Sequence, residues 1–153
     1  MNGWRRTTLA AGRLLVGPLA LAAFFLRWAD GPGVLAGTGF SGYDLLRFSG
    51  NLRALDLSLT QGAALWGIRL AILVVPIAAA WQTLLAPAWR WHVGYAVSGC
   101  YLVVFTAAVA IAGVVRSGLI PPSPGFGLLL LASALFISTW TLAPVAGEAS
   151  ARA

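Results

Sequence analysis

The residues of this chain that could do chemistry are few and far apart. Its four acids, Asp30, Asp44, Asp56 and Glu148, are dispersed along the sequence. General acid–base work needs titratable groups converging on one centre, and no stretch sets a nucleophile beside its base. The single histidine, His92, and the single cysteine, Cys100, cannot supply a full ligand set for a protein-held metal. Axial ligation of a haem or chlorophyll needs only one imidazole. His92, beside Trp89, Arg90 and Trp91, is therefore a candidate for that role, or else a polar residue at a membrane interface. Cys100 has no partner for an intrachain disulfide. No glycine-rich phosphate loop stands between a strand and a helix. The expectation is a chain that is not an enzyme, with no catalytic residue, no metal and no cofactor.

Arg69 is the charge in the least expected place. Counted from Gly62, it lies about 10 Å into an apolar block at a rise of about 1.5 Å per residue. Insertion there costs up to about 2.5 to 3.5 kcal/mol, less toward the interface, so the side chain needs a partner or water. No apolar block contains an acid. Its partner would be Asp30, Asp44 or Asp56 folding back from the preceding connector, an acid on another subunit, or a lipid phosphate. Two roles are open: a tie between bundle and loop or a snorkelled side chain, and a contact for an anion or substrate.

The elements that must position these residues follow from composition. Of 153 residues, 59% are hydrophobic and 9% are charged, against roughly a quarter charged in soluble domains. The apolar residues form four blocks, each near the roughly 20 residues that cross a bilayer as a helix. Spans are expected at about 9–28, 62–85, 93–115 and 124–145, in a single domain covering 1–153. Pro18 is expected to kink the first span, and Pro76 lies inside the second. Ser123-Pro124 reads as a cap and first-turn proline for the fourth. Arg5, Arg6 and Arg13 before the run Leu14 to Leu26 could also head a leader peptide cleaved after Ala20-Leu21-Ala22; a retained first span is expected.

Trp4, Trp28, Trp66, Trp81, Trp89, Trp91 and Trp140 all fall near span ends, where tryptophan favours the bilayer interfaces. The net charge of +6 comes from ten arginines and no lysine. Scattered singly, the arginines suit topology and headgroup contacts rather than nucleic acid. The N-terminal cluster flanks the first helix to insert, so both termini are expected in the cytoplasm.

The first connector, 29–61, would then lie outside. Ser41 and Asp44 have capping-box spacing. After them Leu45, Phe48, Leu52, Leu55 and Leu59 recur at three and four residues, opposite Asp44, Arg47, Asn51, Arg53 and Asp56. One or two short amphipathic helices are expected, interrupted at Ser49-Gly50. They would form a lid on the bundle, or a docking surface with Phe40, Tyr43 and Phe48 as aromatic anchors. Gly94 with Ser98, Ala108 with Ala112, and Ala134 with Ser138 have the spacing that lets helices approach closely. Ser133, Ser138, Thr139 and Thr141 could line a polar path or bond their own backbone.

The layout resembles the claudin-like tetraspan arrangement in topology, without the cysteine pair of that family's first loop. It is also similar to uncharacterised four-pass bacterial proteins in which a span-ending Trp, here Trp28, precedes a loop element, here Ser41-Gly42-Tyr43-Asp44-Leu45. That likeness implies a fold and no activity. Exclusive arginine with abundant Ala and Gly fits a GC-rich bacterial source and an inner-membrane location. The expected protein is all-α, a four-helix transmembrane bundle with a short amphipathic helix in its first outer loop. The expected role is an accessory or structural subunit of a larger membrane complex, in contact with lipid and with partner subunits or further copies of itself. The partner or loop-docking residues would be Phe40, Tyr43, Asp44, Leu45, Phe48 and Arg69. The alternatives are a small oligomeric transporter or channel in which Arg69 contacts an anion, and a haem- or pigment-associated subunit using His92.

Overall fold

A backbone surrounded by hydrocarbon must satisfy its own hydrogen bonds, and for apolar runs of this length the helix does so. In the computed structural model, which describes residues 2–30, 39–51, 58–87, 93–117 and 123–151, the order is α1 (Asn2–Phe25), β1 (Arg27–Asp30), β2 (Gly39–Ser41), α2 (Gly42–Asn51), α3 (Leu59–Leu85), α4 (Val93–Ser117) and α5 (Pro124–Ala151). The segments long and apolar enough to cross a membrane are Thr7–Phe25, Leu59–Leu85, Val93–Val115 and Pro124–Leu142. The protein is an all-α, multi-pass membrane bundle.

The four long helices form a ring in which α1 neighbours α3 and α5, and α4 neighbours α3 and α5. Val16, Ala20, Val75, Ala79, Leu102, Leu129 and Ala132 are fully buried along its axis. Further apolar side chains, including Leu73, Ile77, Leu84, Val97, Val104, Ile111 and Ile137, are exposed on the outside. A water-soluble monomer rarely shows so continuous an apolar surface; lipid is its matching solvent.

The first and second spans differ from expectation at their ends. α1 stops at Phe25 instead of continuing to Trp28, and the Leu26 N–H closes it on the Ala22 and Ala23 carbonyls, both at 3.2 Å. Trp28 then lies in β1, which pairs antiparallel with β2, Arg27 opposite Ser41 and Asp30 opposite Gly39, with an irregularity between Arg27 and Ala29. Strands of four and three residues are too short to show a period of two, so the apolar Trp28 reads as a continuation of the helix. α3 begins three residues before Gly62, where Ser58 and Gln61 form a reciprocal capping box. The third and fourth spans start where expected, and Ser123 caps α5, its carbonyl accepting from the Gly127 N–H at 2.9 Å.

α1 runs through Pro18 and α3 through Pro76 without interruption. Pro76 leaves the Ile72 carbonyl without its intrahelical donor. One residue earlier, the Ala71 carbonyl accepts from the Tyr101 hydroxyl of α4, which ties the loosened turn to its neighbour.

Of the pairs with close-approach spacing, Gly94 and Ser98 do meet α3, a Cβ on Gly94 standing 3.1 Å from Leu85 and the Ser98 hydroxyl accepting from Gln82, but the tightest approaches fall at two other glycines. A Cβ on Gly17 would stand 2.6 Å from the Ala79 carbonyl oxygen and the Thr83 nitrogen of α3, and one on Gly99 would overlap the Phe136 ring of α5. Ala108, Ala112, Ala134 and Ser138 face outward. Gly17→Ala should therefore destabilise the bundle by about 1–3 kcal/mol through overpacking. Gly62→Ala, where an added methyl meets nothing, should leave stability unchanged or slightly raised. Thermal unfolding of both variants in detergent checks this, and equal midpoints would remove Gly17 as a contact point.

Candidate functional site

One end of the bundle carries a folded cap, and its order begins with one side chain. Trp28, 5% exposed, donates its indole N–H to the Ala23 carbonyl at 2.5 Å and sets its ring 5.6 Å from Phe105 and 6.3 Å from Phe24. Two glycines seat other elements against it. A Cβ on Gly42 would lie 2.8 Å from Phe24, and one on Gly125 would lie 2.8 Å from the Leu26 and Arg27 carbonyl oxygens. The starts of α2 and α5 are thereby held on the turn that ends α1.

α2 starts as its sequence predicts. The Asp44 carboxylate accepts from the Ser41 backbone N–H at 3.0 Å and from the Ser41 hydroxyl at 2.7 Å, while that hydroxyl accepts from the Asp44 N–H at 3.1 Å. Ser49-Gly50 does not interrupt the helix, which continues to Asn51. The Ser49 hydroxyl turns back onto the Leu46 carbonyl at 2.9 Å, so both residues fall in a closing last turn. Leu45 and Leu46 are half-buried against the core. Leu52 and Leu55 lie outside the described residues. Leu59 opens α3 at 93% exposure and is not part of the buried stripe.

The aromatic residues are only partly used by this packing. Phe40 is half-buried, with its ring 6.3 Å from that of Phe48. Phe48, Tyr43 and Phe25 are each about half exposed or more, and Tyr43 stands 6.2 Å from Phe25. The cap thus brings together five of the six docking candidates, namely Phe40, Tyr43, Asp44, Leu45 and Phe48, and adds Phe25. Arg27 and Arg47 are exposed at the same end.

Arg69 stands apart from that group. It is half-buried, and its guanidinium lies 4.9 Å from the centre of the Trp66 ring, one turn back on the same helix. Among the described residues no carboxylate lies within ion-pair distance of it, and Asp44 is engaged with Ser41. Asp56 and His92 lie outside the described residues, as does the side chain of Asp30.

Sequence reasoning passed over a polar layer inside the opposite half of the bundle. Gln82 of α3, fully buried, donates from Nε2 to the Tyr95 carbonyl at 2.5 Å and to the Ser98 hydroxyl at 2.9 Å. Arg13 of α1 lies close enough to the Tyr95 hydroxyl to act on it electrostatically. Farther along α4, the Thr106 and Ser133 hydroxyls meet at 3.0 Å, joining α4 to α5. An amide within the apolar run Ala78-Ala79-Ala80-Trp81-Gln82 was the available signal, because an unpartnered amide is disfavoured in hydrocarbon. Ser138 and Thr141 bond their own backbone and line no path.

The hydroxyl and backbone N–H of Ser41, aided by the charge of Arg47, hold the Asp44 carboxyl below its usual value of 3.8. A carboxyl lowered in the folded state contributes stability above its unfolded value and loses it as pH falls through the folded one. Amide exchange in α2 should therefore be independent of this group at neutral pH and rise below about 3.8. Asp44→Asn should abolish that acid step and raise exchange above the wild type's at pH values where the carboxylate is ionised, the difference disappearing in acid; an unchanged acid step in the variant would assign the transition to another group.

No protein-family model matches the chain, and no curated protein or solved structure matches it either.

Proposed function

We propose that the chain is a non-catalytic subunit of a membrane assembly and that the capped end of its bundle is the docking face. The observation that carries this is the arrangement of Phe25, Tyr43 and Phe48, partly exposed on a scaffold that is fixed from beneath. Rigid aromatic side chains give large contact area at little entropic cost and dominate interface energetics. Here they stand beside exposed arginines at the rim of a bilayer-spanning bundle, where a neighbouring membrane protein could reach them from the side.

The rest of the molecule is compatible with this role. Side chains fill the axis of the bundle, as Val16, Val75, Leu102 and Leu129 show by their complete burial. Transport through a single copy is therefore the less supported reading, and Arg69 lies over Trp66 of its own helix. We place the cap outside the cytoplasm and both termini inside, because arginines flank the start of the first helix. The lysine-free, Ala- and Gly-rich sequence suits a bacterial inner membrane.

Photocrosslinking from Tyr43 or Phe48 in native membranes should give a reproducible product with one other membrane protein. Tyr43→Ala combined with Phe48→Ala should weaken co-purification about ten-fold or more, as the loss of a central aromatic contact does. Recovery of only monomer or homo-oligomer, with no crosslink to another chain, would count against the role.

A further inference from the structure

The polar layer in the half of the bundle away from the cap contains one atom that its neighbours do not serve. Gln82 is fully buried, and its amide nitrogen donates to the Tyr95 carbonyl and to the Ser98 hydroxyl of α4. Both contacts require the nitrogen. A carbonyl only accepts, and the Ser98 hydroxyl has its one proton on the Gly94 carbonyl at 2.7 Å, so it too accepts from Gln82. Turning the amide over would set oxygen against oxygen. The orientation is therefore fixed, and Oε1 is directed away from those partners. It is enclosed from solvent, and among the described residues no donor reaches it. An amide oxygen in that state is disfavoured inside a bilayer, where bulk water does not reach to correct it.

The surroundings of Oε1 restrict what can satisfy it. An acceptor needs a donor, which excludes a simple anion. Gly17 of α1 lies against Ala79 and Thr83 of α3. Arg13, one turn earlier on the same face of α1, therefore runs level with Gln82 and the turn after it in the antiparallel helix. Its charge acts on the Tyr95 hydroxyl, which also faces Thr139 of α5. A positive charge at this level opposes an ammonium group or a metal cation. What remains is a small neutral donor that also accepts from hydroxyl or guanidinium groups, and water is the smallest. Gln82 lies three residues from the end of α3, about 5 Å along the axis, so water reaches it from the rim opposite the cap without crossing the bundle.

We propose that the bundle binds an internal water molecule at Gln82, which donates one hydrogen to Oε1 and lies in the polar layer to which Arg13, Tyr95 and Thr139 belong. Buried waters typically make about three hydrogen bonds to polar groups that the protein alone leaves unserved. Every long helix contributes to this layer: Arg13 from α1, Gln82 from α3, Tyr95 and Ser98 from α4, and Thr139 from α5. The water is thus a component of the contacts between helices rather than a ligand of the surface.

A crystal structure of the full chain grown from lipid, at a resolution that shows ordered water, tests this directly. A water should stand about 2.7–3.0 Å from Oε1, and Gln82→Met, similar in shape but without the amide, should lack it. Infrared spectroscopy reads the same atom independently. The chain contains two glutamines, Gln61 and Gln82. Gln61→Glu keeps the capping box and leaves Gln82 as the one position for glutamine with an isotope-labelled side-chain carbonyl. Its band should lie at the lowered frequency of a hydrogen-bonded carbonyl. A band at the free-carbonyl frequency would overturn the proposal. So would a crystal structure in which Oε1 is dry, or in which a guanidinium nitrogen of Arg13 or a lipid or detergent hydroxyl occupies the place of the water.

Discussion

Everything in this protein depends on how closely its helices can approach one another. In water, apolar helices are driven together by removing their surface from solvent. In lipid the surroundings are as apolar as the helices, and only packing and hydrogen bonding favour association. Gly17 sets α1 against the backbone of α3, and Gly99 admits the Phe136 ring between α4 and α5. Around these points the axis holds Ala and Val together with Leu102, Leu129, Tyr95 and Phe126, and further Leu, Ile, Val and Trp side chains are turned outward. Inside and outside are therefore both apolar. Because every helix has a lipid-compatible exterior, the interior hydrogen bonds become the specific ones: Gln82 to α4, Tyr101 to Ala71, and Thr106 with Ser133. Each joins two neighbours in the ring, and each would be lost if a helix rotated.

The same constraint shapes the cap. With α1 ended at Phe25, the chain must turn without exposing unpaired backbone at the membrane edge, and the pairing of β1 with β2 supplies part of the missing hydrogen bonds. Trp28 then fills the space over the bundle that a helical continuation would have left open. Its burial explains why Gly42 and Gly125 carry no side chains, since any Cβ would meet the indole or the backbone around it. The cap is therefore an extension of the bundle core, and the rings of Phe25, Tyr43 and Phe48 are what that packing leaves outside.

Much of the fold was legible because membrane helices are long and their composition differs from that of connectors. The starts of the third and fourth spans, the Ser123 cap and the Ser41–Asp44 box were all readable from residue type and spacing. Three features were not. Trp28 reads as the last residue of a span because tryptophan suits an interface; only the pairing of two very short strands, a tertiary event, moves it into extended backbone. Leu59 fits the apolar stripe of the connector by spacing, yet Ser58 and Gln61 cap a new helix there and turn the leucine outward. The tight contacts at Gly17 and Gly99 follow no repeated small-residue pattern, since each depends on which partner residue faces it. Of the candidate site, the aromatic anchors were legible as a cluster, whereas the role of Gln82 needed the knowledge that α4 presents a carbonyl and a hydroxyl opposite it.

The polar groups also give the bundle two unlike halves. At the capped end the charged and hydrogen-bonding residues lie outside the helix ring: Asp44 on Ser41, Arg69 over Trp66, and Arg27 and Arg47 on the surface. In the opposite half they turn inward, where Gln82, Ser98 and Tyr95 meet between helices and Arg13 lies near. A charge at the rim can be neutralised by headgroups and water, so it leaves the packing of the helices free. A polar group on the axis must find its partner within the bundle and so fixes the rotation of the helices that supply it. The inward half thus locks the bundle geometry, and the half with its polar groups outside keeps a surface free to meet another molecule.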